Sequence, residues 1–245
     1  MHECNLRAYS NILKRNMEYS VYGDSGKTCF VFPEQDGRFY DFKNFGMIDV
    51  IRPWIDCGKV KIICVDGIDK ETWSNDSENP RERIELHERW FHYIVDELLP
   101  IYSKNDEKAM VTGCSMGGMH AANFFFRRPD LFDTLLALSG LYNASYFFKD
   151  YFDSLVYDNS PVSFLPNMQD NHPWINLYRK SRIIACVGQG LWEDDLLFGT
   201  RELDTILAQK NIPHCFDYWG YDVSHDWYWW QKQMAYFFEK IFGTV

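Results

Sequence analysis

A serine flanked by glycines lies near the middle of the chain, in Gly113-Cys114-Ser115-Met116-Gly117. An apolar, strand-like run precedes it and a helical pattern follows it. Between a strand and a helix, the pattern G-x-S-x-G forms a tight turn that lifts the serine hydroxyl above the sheet, and the small residues let strand and helix approach closely. The spacing predicts Ser115 as a nucleophile on a strand–turn–helix elbow.

A nucleophilic serine needs a general base. In chains with such an elbow, the order along the sequence is serine, then acid, then histidine. Two histidines lie in the last strand-and-helix region, His214 and His225. His214 falls inside an apolar strand-like run, which favours a structural position. His225 lies in a loop directly before the last predicted helix, so we predict that His225 is the base.

The acid that orients the imidazole belongs in the segment after the strand that ends at Val187. Three carboxylates compete there, namely Glu193, Asp194 and Asp195. At least one of them is expected to be a charge that stabilises the dipole at a helix start. We rank Asp194 first, Glu193 second and Asp195 third.

An oxyanion hole needs two main-chain N–H groups. The residue after the nucleophile, Met116, is expected to supply one. The second is expected from the loop after an early strand, where Pro33 has no N–H to donate. We predict Gln35 for this role, with Glu34 as the next choice.

The composition limits the class of protein. The chain has 245 residues, of which 46% are hydrophobic and 24% charged, so it predicts one folded domain over residues 1–245. The formal net charge of −10 is unsuited to nucleic acid or anionic membranes, which demand a basic face. The expected partner is a small-molecule ester; association into a homo-oligomer stays open.

The seven cysteines indicate the compartment. Their number is odd and no pair has C-x-x-C spacing, so neither a disulfide framework nor a zinc cluster is expected. No signal peptide and no apolar run long enough to span a bilayer is recognisable. These features predict a cytoplasmic protein.

Apolar strands alternate with helical patterns along the chain, which predicts an α/β fold with a mainly parallel sheet and helices on both faces. The predicted strands are Met17–Tyr22, Thr28–Phe32, Val60–Val65, Lys108–Thr112, Thr134–Leu138, Arg182–Val187 and His214–Trp219. The predicted helices are Phe42–Ile55, Pro80–Leu99, Gly117–Arg127, Asp195–Gln209 and Trp227–Phe242.

One stretch, residues 143–178, interrupts this rhythm. It is rich in aromatic residues and proline and is too long for an ordinary connection between a strand and a helix. We predict an irregular excursion over the strand ends that shapes a pocket, with Phe147 and Tyr151 contributing to substrate preference.

Three segments imitate cofactor or metal motifs. Gly26-Lys27-Thr28 resembles the end of a P-loop but lacks its first glycine. The pair Gly188 and Gly190 is followed by Glu193 where a dinucleotide fingerprint requires glycine, and His87 and His92 lack metalloprotease spacing. We therefore expect neither a cofactor nor a metal.

Further stretches resemble the putative-esterase branch of the α/β-hydrolases, which includes S-formylglutathione hydrolase and the mycolyltransferases. They are Phe30–Pro33, Trp90–Pro100, Arg128–Phe132 with Leu138–Gly140, Glu193-Asp194 before Thr200-Arg201, and His225–Trp227 with Trp229-Trp230. The resemblance implies an α/β-hydrolase fold and a triad of Ser115, Asp194 and His225. The acid segment departs from the usual Gly-x-x-Asp form of this branch, and the lack of a secretion signal argues against cell-wall acyl transfer.

These residues predict a serine esterase that cleaves carboxylic esters through an acyl-enzyme. An acyltransferase with the same triad is one alternative, because an alcohol can replace water as the acceptor. A catalytically inactive binding module with this fold is the other.

Overall fold

An open eight-stranded sheet lies at the centre of the computed structural model, which describes residues 1–103 and 107–245. The spatial order is β1-β2-β4-β3-β5-β6-β7-β8, with β2 antiparallel to both of its neighbours and all other pairs parallel. The strands are β1 (Glu3–Ser10), β2 (Arg15–Tyr22), β3 (Lys27–Phe32), β4 (Val60–Val65), β5 (Ala109–Cys114), β6 (Phe132–Leu138), β7 (Arg182–Val187) and β8 (Cys215–Tyr218).

Helices follow most of the parallel strands. They are α1 (Asp41–Asn44), α2 (Met47–Asp56), α3 (Pro80–His92), α4 (Leu99–Tyr102), α5 (Met116–Arg127), α6 (Ser145–Phe148), α7 (Ser154–Asp158), α8 (Pro161–Phe164), α9 (Pro173–Arg179), α10 (Asp194–Gln209) and α11 (Trp227–Phe242). A 3₁₀ turn covers Asp69–Glu71, and a π-helical turn, Tyr93–Leu98, joins α3 to α4. Within the described ranges, no helix is both long and apolar enough to cross a bilayer.

The two faces of the sheet bury separate hydrophobic cores. Successive side chains of a strand point to opposite faces, and β3 shows this alternation: Phe30 and Phe32 pack with α3, α5 and α10, whereas Cys29 and Val31 pack with α2 and α11. All six residues of β5 are buried, as expected for a parallel strand covered on both faces. The predicted α/β-hydrolase fold is confirmed.

Two predicted elements differ in detail, and one strand escaped the sequence analysis. The predicted helix Phe42–Ile55 is broken at Gly46, whose φ of 79° is left-handed, and Pro80–Leu99 ends in the π-helical turn. The missed strand, β1, lies at the sheet edge and leaves most of its side chains at least partly exposed. Backbone pairing with β2 holds it in place. Because its side chains do not need to be buried, its sequence lacks the apolar run by which buried strands are recognised.

The segment 143–178 is less irregular than expected, because it contains α6, α7, α8 and α9. Ile175 and Tyr178 of α9 are fully buried in the core. The Tyr178 hydroxyl donates to the carbonyl of Phe126 at 2.5 Å. The later half of this segment therefore packs against the fold, and its beginning, around α6, lies over the strand ends.

Candidate active site

Ser115 occupies the turn between β5 and α5. Its backbone angles, φ 56° and ψ −124°, lie outside the regions that residues other than glycine ordinarily adopt. Such backbone strain persists only where the surrounding structure enforces it. A Cβ on Gly117 would lie 2.3 Å from the carbonyl oxygen of Phe32, and one on Gly113 would lie 2.4 Å from the backbone of Gly117. Glycine at both positions is thus required by the close approach of α5 to the strands.

His225 lies opposite this serine. Its Nε2 is 2.9 Å from Ser115 Oγ, although 110 residues separate them in sequence. The backbone N–H of His225 donates to the carbonyl of Leu191 at 3.0 Å, and its ring packs edge-on against Trp230, with centroids 4.7 Å apart. The structure therefore brings together the two residues that the sequence analysis assigned as nucleophile and base.

The carboxylate beside the histidine belongs to Glu193 and not to Asp194. Glu193 Oε2 lies 3.4 Å from His225 Nδ1, and the Glu193 side chain is 1% exposed. This is the spacing of an ion pair, longer than a well-formed hydrogen bond, and neither atom has another hydrogen-bond partner among the described residues. The sequence analysis ranked Asp194 above Glu193, but α10 begins at Asp194, which is exposed and lines the cavity instead of contacting the histidine.

Ser139 holds the Glu193 carboxylate directly, and Trp230 holds Ser139. Ser139, directly after β6, donates its hydroxyl to Glu193 Oε1 at 2.7 Å and accepts from Trp230 Nε1 at 3.2 Å. A buried carboxylate is tolerated only when such donors compensate for its lost hydration. The sequence analysis did not give Ser139 or Trp230 a role, although Ser139 follows a predicted strand at the edge that carries Ser115.

A cavity of about 610 Å³ opens over Ser115 and His225. Leu141, Tyr146, Phe147, Leu191 and Trp192 supply most of its apolar lining. Trp192 is 76% exposed and has a left-handed φ of 66°. These walls suit an apolar group of moderate size, which is how small-molecule sites are generally lined.

Of the other residues that the sequence analysis considered for the site, some line the cavity and others lie elsewhere in the fold. Asp194 and Asp195 both line the cavity and lie in the first turn of α10, where carboxylates stabilise the helix dipole. Tyr151 does not line the cavity; its hydroxyl donates to Asp153 at 2.7 Å. His214 lies just before β8 and pairs with Asp204 at 2.7 Å, away from Ser115.

Met116 and Gln35 line the same cavity as Ser115. Met116 is the first residue of α5, where a helix leaves its backbone N–H groups without intrahelical acceptors. Gln35 lies in the loop after β3, and its side-chain amide donates to Ser74 Oγ at 3.0 Å. The two residues predicted to donate to the oxyanion therefore line the cavity beside Ser115.

Cys114, next to Ser115, does not compete as nucleophile. It is 1% exposed, and burial raises the pKa of its thiol well above the ordinary value. A thiol that stays protonated is a poor nucleophile. Within residues 1–103 and 107–245, no group of three or more potential ligands is placed to hold a metal ion.

The sequence profile of the family described as "Putative esterase" matches residues 10–240. The chain belongs to this putative esterase family. It is therefore a carboxylic ester hydrolase with the α/β-hydrolase fold, and the family resemblance inferred from its motifs is confirmed. No curated protein matches this esterase in sequence.

Solved structures share the fold of this esterase at low sequence identity. A ferulic acid esterase superimposes with a TM-score of 0.76 at 16% identity, covering 98% of this chain and 97% of the other. An S-formylglutathione hydrolase from Agrobacterium tumefaciens gives 0.75 at 14% identity, covering 97% and 93%. MPT51 of Mycobacterium tuberculosis gives 0.74 at 11% identity, covering 100% and 99%.

Proposed function

We propose that this esterase hydrolyses small-molecule carboxylic esters through an acyl-enzyme on Ser115. The observation that carries the proposal is the 2.9 Å contact between Ser115 Oγ and His225 Nε2 at the floor of the cavity. A serine hydroxyl becomes an effective nucleophile when a neighbouring base can accept its proton. The strained elbow keeps that hydroxyl facing the substrate.

In the proposed first step, Ser115 Oγ attacks the ester carbonyl and His225 Nε2 takes the serine proton. The backbone N–H groups of Met116 and Gln35 stabilise the oxyanion that forms. Collapse of this intermediate breaks the bond to the alcohol, which leaves with the proton from His225. In the second step water attacks the acyl-enzyme and His225 takes one of its protons. The acyl–Oγ bond then breaks, His225 returns that proton to Ser115 Oγ, and the acid is released.

We assign the acid of the triad to Glu193. Its carboxylate faces Nδ1, so it selects the imidazole tautomer whose Nε2 can accept a proton, and it stabilises the imidazolium that then forms. The donation from Ser139 fixes the orientation of the carboxylate. This assignment replaces Asp194 in the triad and leaves the roles of Ser115 and His225 unchanged.

The similar solved structures supply the reaction class but not the substrate. By their names, one acts on ferulic acid esters and another on S-formylglutathione; from these we carry over only acyl transfer from an ester-type donor to water. Transfer to an alcohol would use the same residues, so adding an alcohol and measuring how product partitions between ester and acid separates esterase from acyltransferase.

Ser115→Ala tests the proposal directly. Replacing the nucleophile should leave the fold intact and lower kcat by about 10⁴-fold or more, as loss of a triad member does. A fluorophosphonate should label the wild-type protein at Ser115, read by peptide mass spectrometry, with 4-nitrophenyl acetate hydrolysis as the rate assay. Label on Ser139 or Ser224, or an inert wild type, would contradict it.

We also propose a reducing compartment, the cytoplasm, as the site of action. All seven cysteines are unpaired, and four of them, Cys29, Cys64, Cys114 and Cys186, are buried. Secreted proteins of this size that contain many cysteines usually pair them.

A further inference from the structure

The loop between β3 and α1 that carries Gln35 has little room to move. The Gly37 N–H donates to the Glu34 carbonyl at 2.9 Å and closes a turn. On one side, a Cβ on Gly117 would lie 2.7 Å from the carbonyl oxygen of Pro33; on the other, a Cβ on Gly67 would lie 3.0 Å from that of Gly37. The loop is therefore held between the start of α5 and the segment after β4.

The carboxyl group of Glu34 folds back into this loop. A Cβ on Gly37 would lie 2.8 Å from Glu34 Cδ and 2.9 Å from Oε2, so glycine at position 37 makes the space for it. Glu34 Oε2 is shielded from solvent and has no hydrogen-bond partner among the described residues. A buried, unpartnered oxygen is costly for a neutral carboxyl group and far more so for a carboxylate.

The groups that face Glu34 from neighbouring elements oppose a negative charge. Asp41 of α1 and Asp69 of the 3₁₀ turn are both acidic, and the Cys114 thiol at the end of β5 lies close enough to be affected by Glu34. Asp69 is itself paired with His120 of α5, at 2.9 Å. Burial is the largest cause and, together with repulsion from Asp41 and Asp69, raises the pKa of Glu34 to about 7, although a hydrogen bond from the residue's own backbone N–H acts in the opposite direction.

We propose that Glu34 is a positioning residue whose neutral form holds the oxyanion loop in its active shape and whose ionisation lowers activity. Two physical effects act in the same direction. In a carboxylate at this position, Oε2, which is shielded from solvent, gains hydration only if the loop opens, and this displaces the neighbouring Gln35 amide. A negative charge one residue from the oxyanion hole also repels the oxyanion of the transition state. This inference rests on the proposed function of Ser115 and Gln35.

The test is a pH profile of kcat/KM from pH 5.5 to 9.5 with an uncharged ester, corrected for spontaneous hydrolysis. Protonation of the base lowers activity on the acid side. The proposal adds a decrease of kcat/KM on the alkaline side, centred near pH 7 in the wild type and amounting to about fivefold or more by pH 9. A single ionisation can lower kcat/KM by up to about tenfold per pH unit. Glu34→Gln is uncharged and similar in shape, so it should keep the activity of the wild type near pH 6.5 and change less than about twofold between pH 7 and 9.

Asp41→Asn supplies a second variant in case Glu34→Gln fails to fold. Removing a facing negative charge lowers the pKa of Glu34, so the alkaline fall should move to lower pH. Asparagine keeps an oxygen that can accept from the Arg38 N–H, as Asp41 does at 2.7 Å. The matched control is Glu71→Gln, which makes the same change at an exposed residue paired with Arg15 and should leave the profile unshifted.

A flat wild-type profile between pH 7 and 9, or an alkaline fall that Glu34→Gln retains, would overturn the role of Glu34. Where ester turnover is too slow to measure, the rate of fluorophosphonate labelling at Ser115 takes its place across the same pH range. Absence of labelling at Ser115 at every pH would sink the proposed function itself. Labelling with a flat profile sinks the inference about Glu34 alone.

Discussion

Glu193 and Asp194 are adjacent acidic residues with opposite surroundings. Glu193 is fully buried, receives the Ser139 hydroxyl and lies beside the His225 ring, whereas Asp194 lines the open cavity. The longer glutamate side chain spans the distance from the loop to the imidazole. Trp192, strained at φ 66°, precedes Glu193, and the left-handed turn at that residue directs the next side chain into the protein.

The two carboxylates should therefore differ sharply when each is made neutral. Glu193→Gln removes the charge that stabilises the imidazolium and should lower kcat by about 10³- to 10⁴-fold, as loss of the orienting acid does elsewhere. Asp194→Asn, the matched control one residue away, should change kcat for a neutral ester by less than about threefold. Steady-state kinetics on both variants decides the matter, and a larger loss in Asp194→Asn would return the role to Asp194.

The loops at the carboxyl edge of the sheet fix one another. A Cβ on Gly188 would lie 2.2 Å from the carbonyl oxygen of Val223, and one on Gly190 would lie 2.7 Å from it, while the Gly190 N–H donates to that carbonyl at 2.8 Å. The loop that carries Glu193 and the loop that carries His225 thus pack backbone to backbone. The position of Glu193 relative to His225 therefore depends on this backbone contact as well as on the two side chains.

Helix α6 forms one wall of the cavity, and we expect it to set substrate preference. Phe147 lines the cavity and packs edge-on against Trp73, with centroids 5.6 Å apart. Phe147→Ala should raise KM for esters with bulky acyl groups by about tenfold, a typical cost of removing apolar contact in a pocket, and should leave acetate esters nearly unaffected.

The control for Phe147 is Trp174→Ala, on the far side of the excursion in a separate cavity of about 500 Å³ that does not contain Ser115. Tyr151→Ala should resemble that control, because Tyr151 lies outside the active-site lining. Kinetics across a series of acyl chain lengths gives the answer. Equal losses on every ester in Phe147→Ala would indicate damage to the fold in place of a pocket role.

At the scale of the whole molecule, one of the two cores, the one between the sheet and helices α2 and α11, protects most of the thiols. Cys29, Cys64, Cys114 and Cys186 are at most 1% exposed, and burial raises the pKa of each. In the native protein, a disulfide reagent should react rapidly with the exposed Cys57 and Cys215 and with the four buried thiols only after unfolding. Esterase activity should survive the fast phase; labelling of Cys114 within that phase, in protein that is still folded, would contradict its burial.

The stability of the fold should also report on Glu34. Burial raises its pKa to about 7, above the ordinary value of about 4.3 for glutamate, so its neutral form is favoured in the folded state. The contribution of Glu34 to the free energy of unfolding is fully present below about pH 4.3 and is lost as the pH rises through about 7. The Tm of the wild type minus that of Glu34→Gln should therefore fall between pH 5 and 8.

The Tm of the wild type must be compared with that of Glu34→Gln because buried His87 changes the pH dependence of stability in the opposite direction. Burial lowers the pKa of His87, so its contribution is present at neutral pH and is lost as pH falls. Both proteins share His87, and the subtraction removes its effect. A Tm difference that stays constant from pH 5 to 8 would show that Glu34 is ionised throughout.

The sequence by itself predicted that Ser115 and His225 lie together, as they do in the structure, and it determined the order of most elements. The glycines around Ser115 predict the elbow because only glycine permits that approach of helix and strand, and alternating strands and helices predict the parallel sheet. Both signals are local in the chain. The order of acid and histidine along the chain then restricted the base to a short region.

Only the tertiary structure decided which of three neighbouring carboxylates meets the histidine. Glu193, Asp194 and Asp195 are equivalent by position, and the choice depends on the backbone turn at Trp192 and on Ser139, 54 residues away from Glu193. The surroundings of the Glu34 carboxyl were equally unpredictable, since its position depends on Gly37 and on α5, and its raised pKa depends in part on acids from two other elements. Such contacts join distant segments, and no local pattern encodes them.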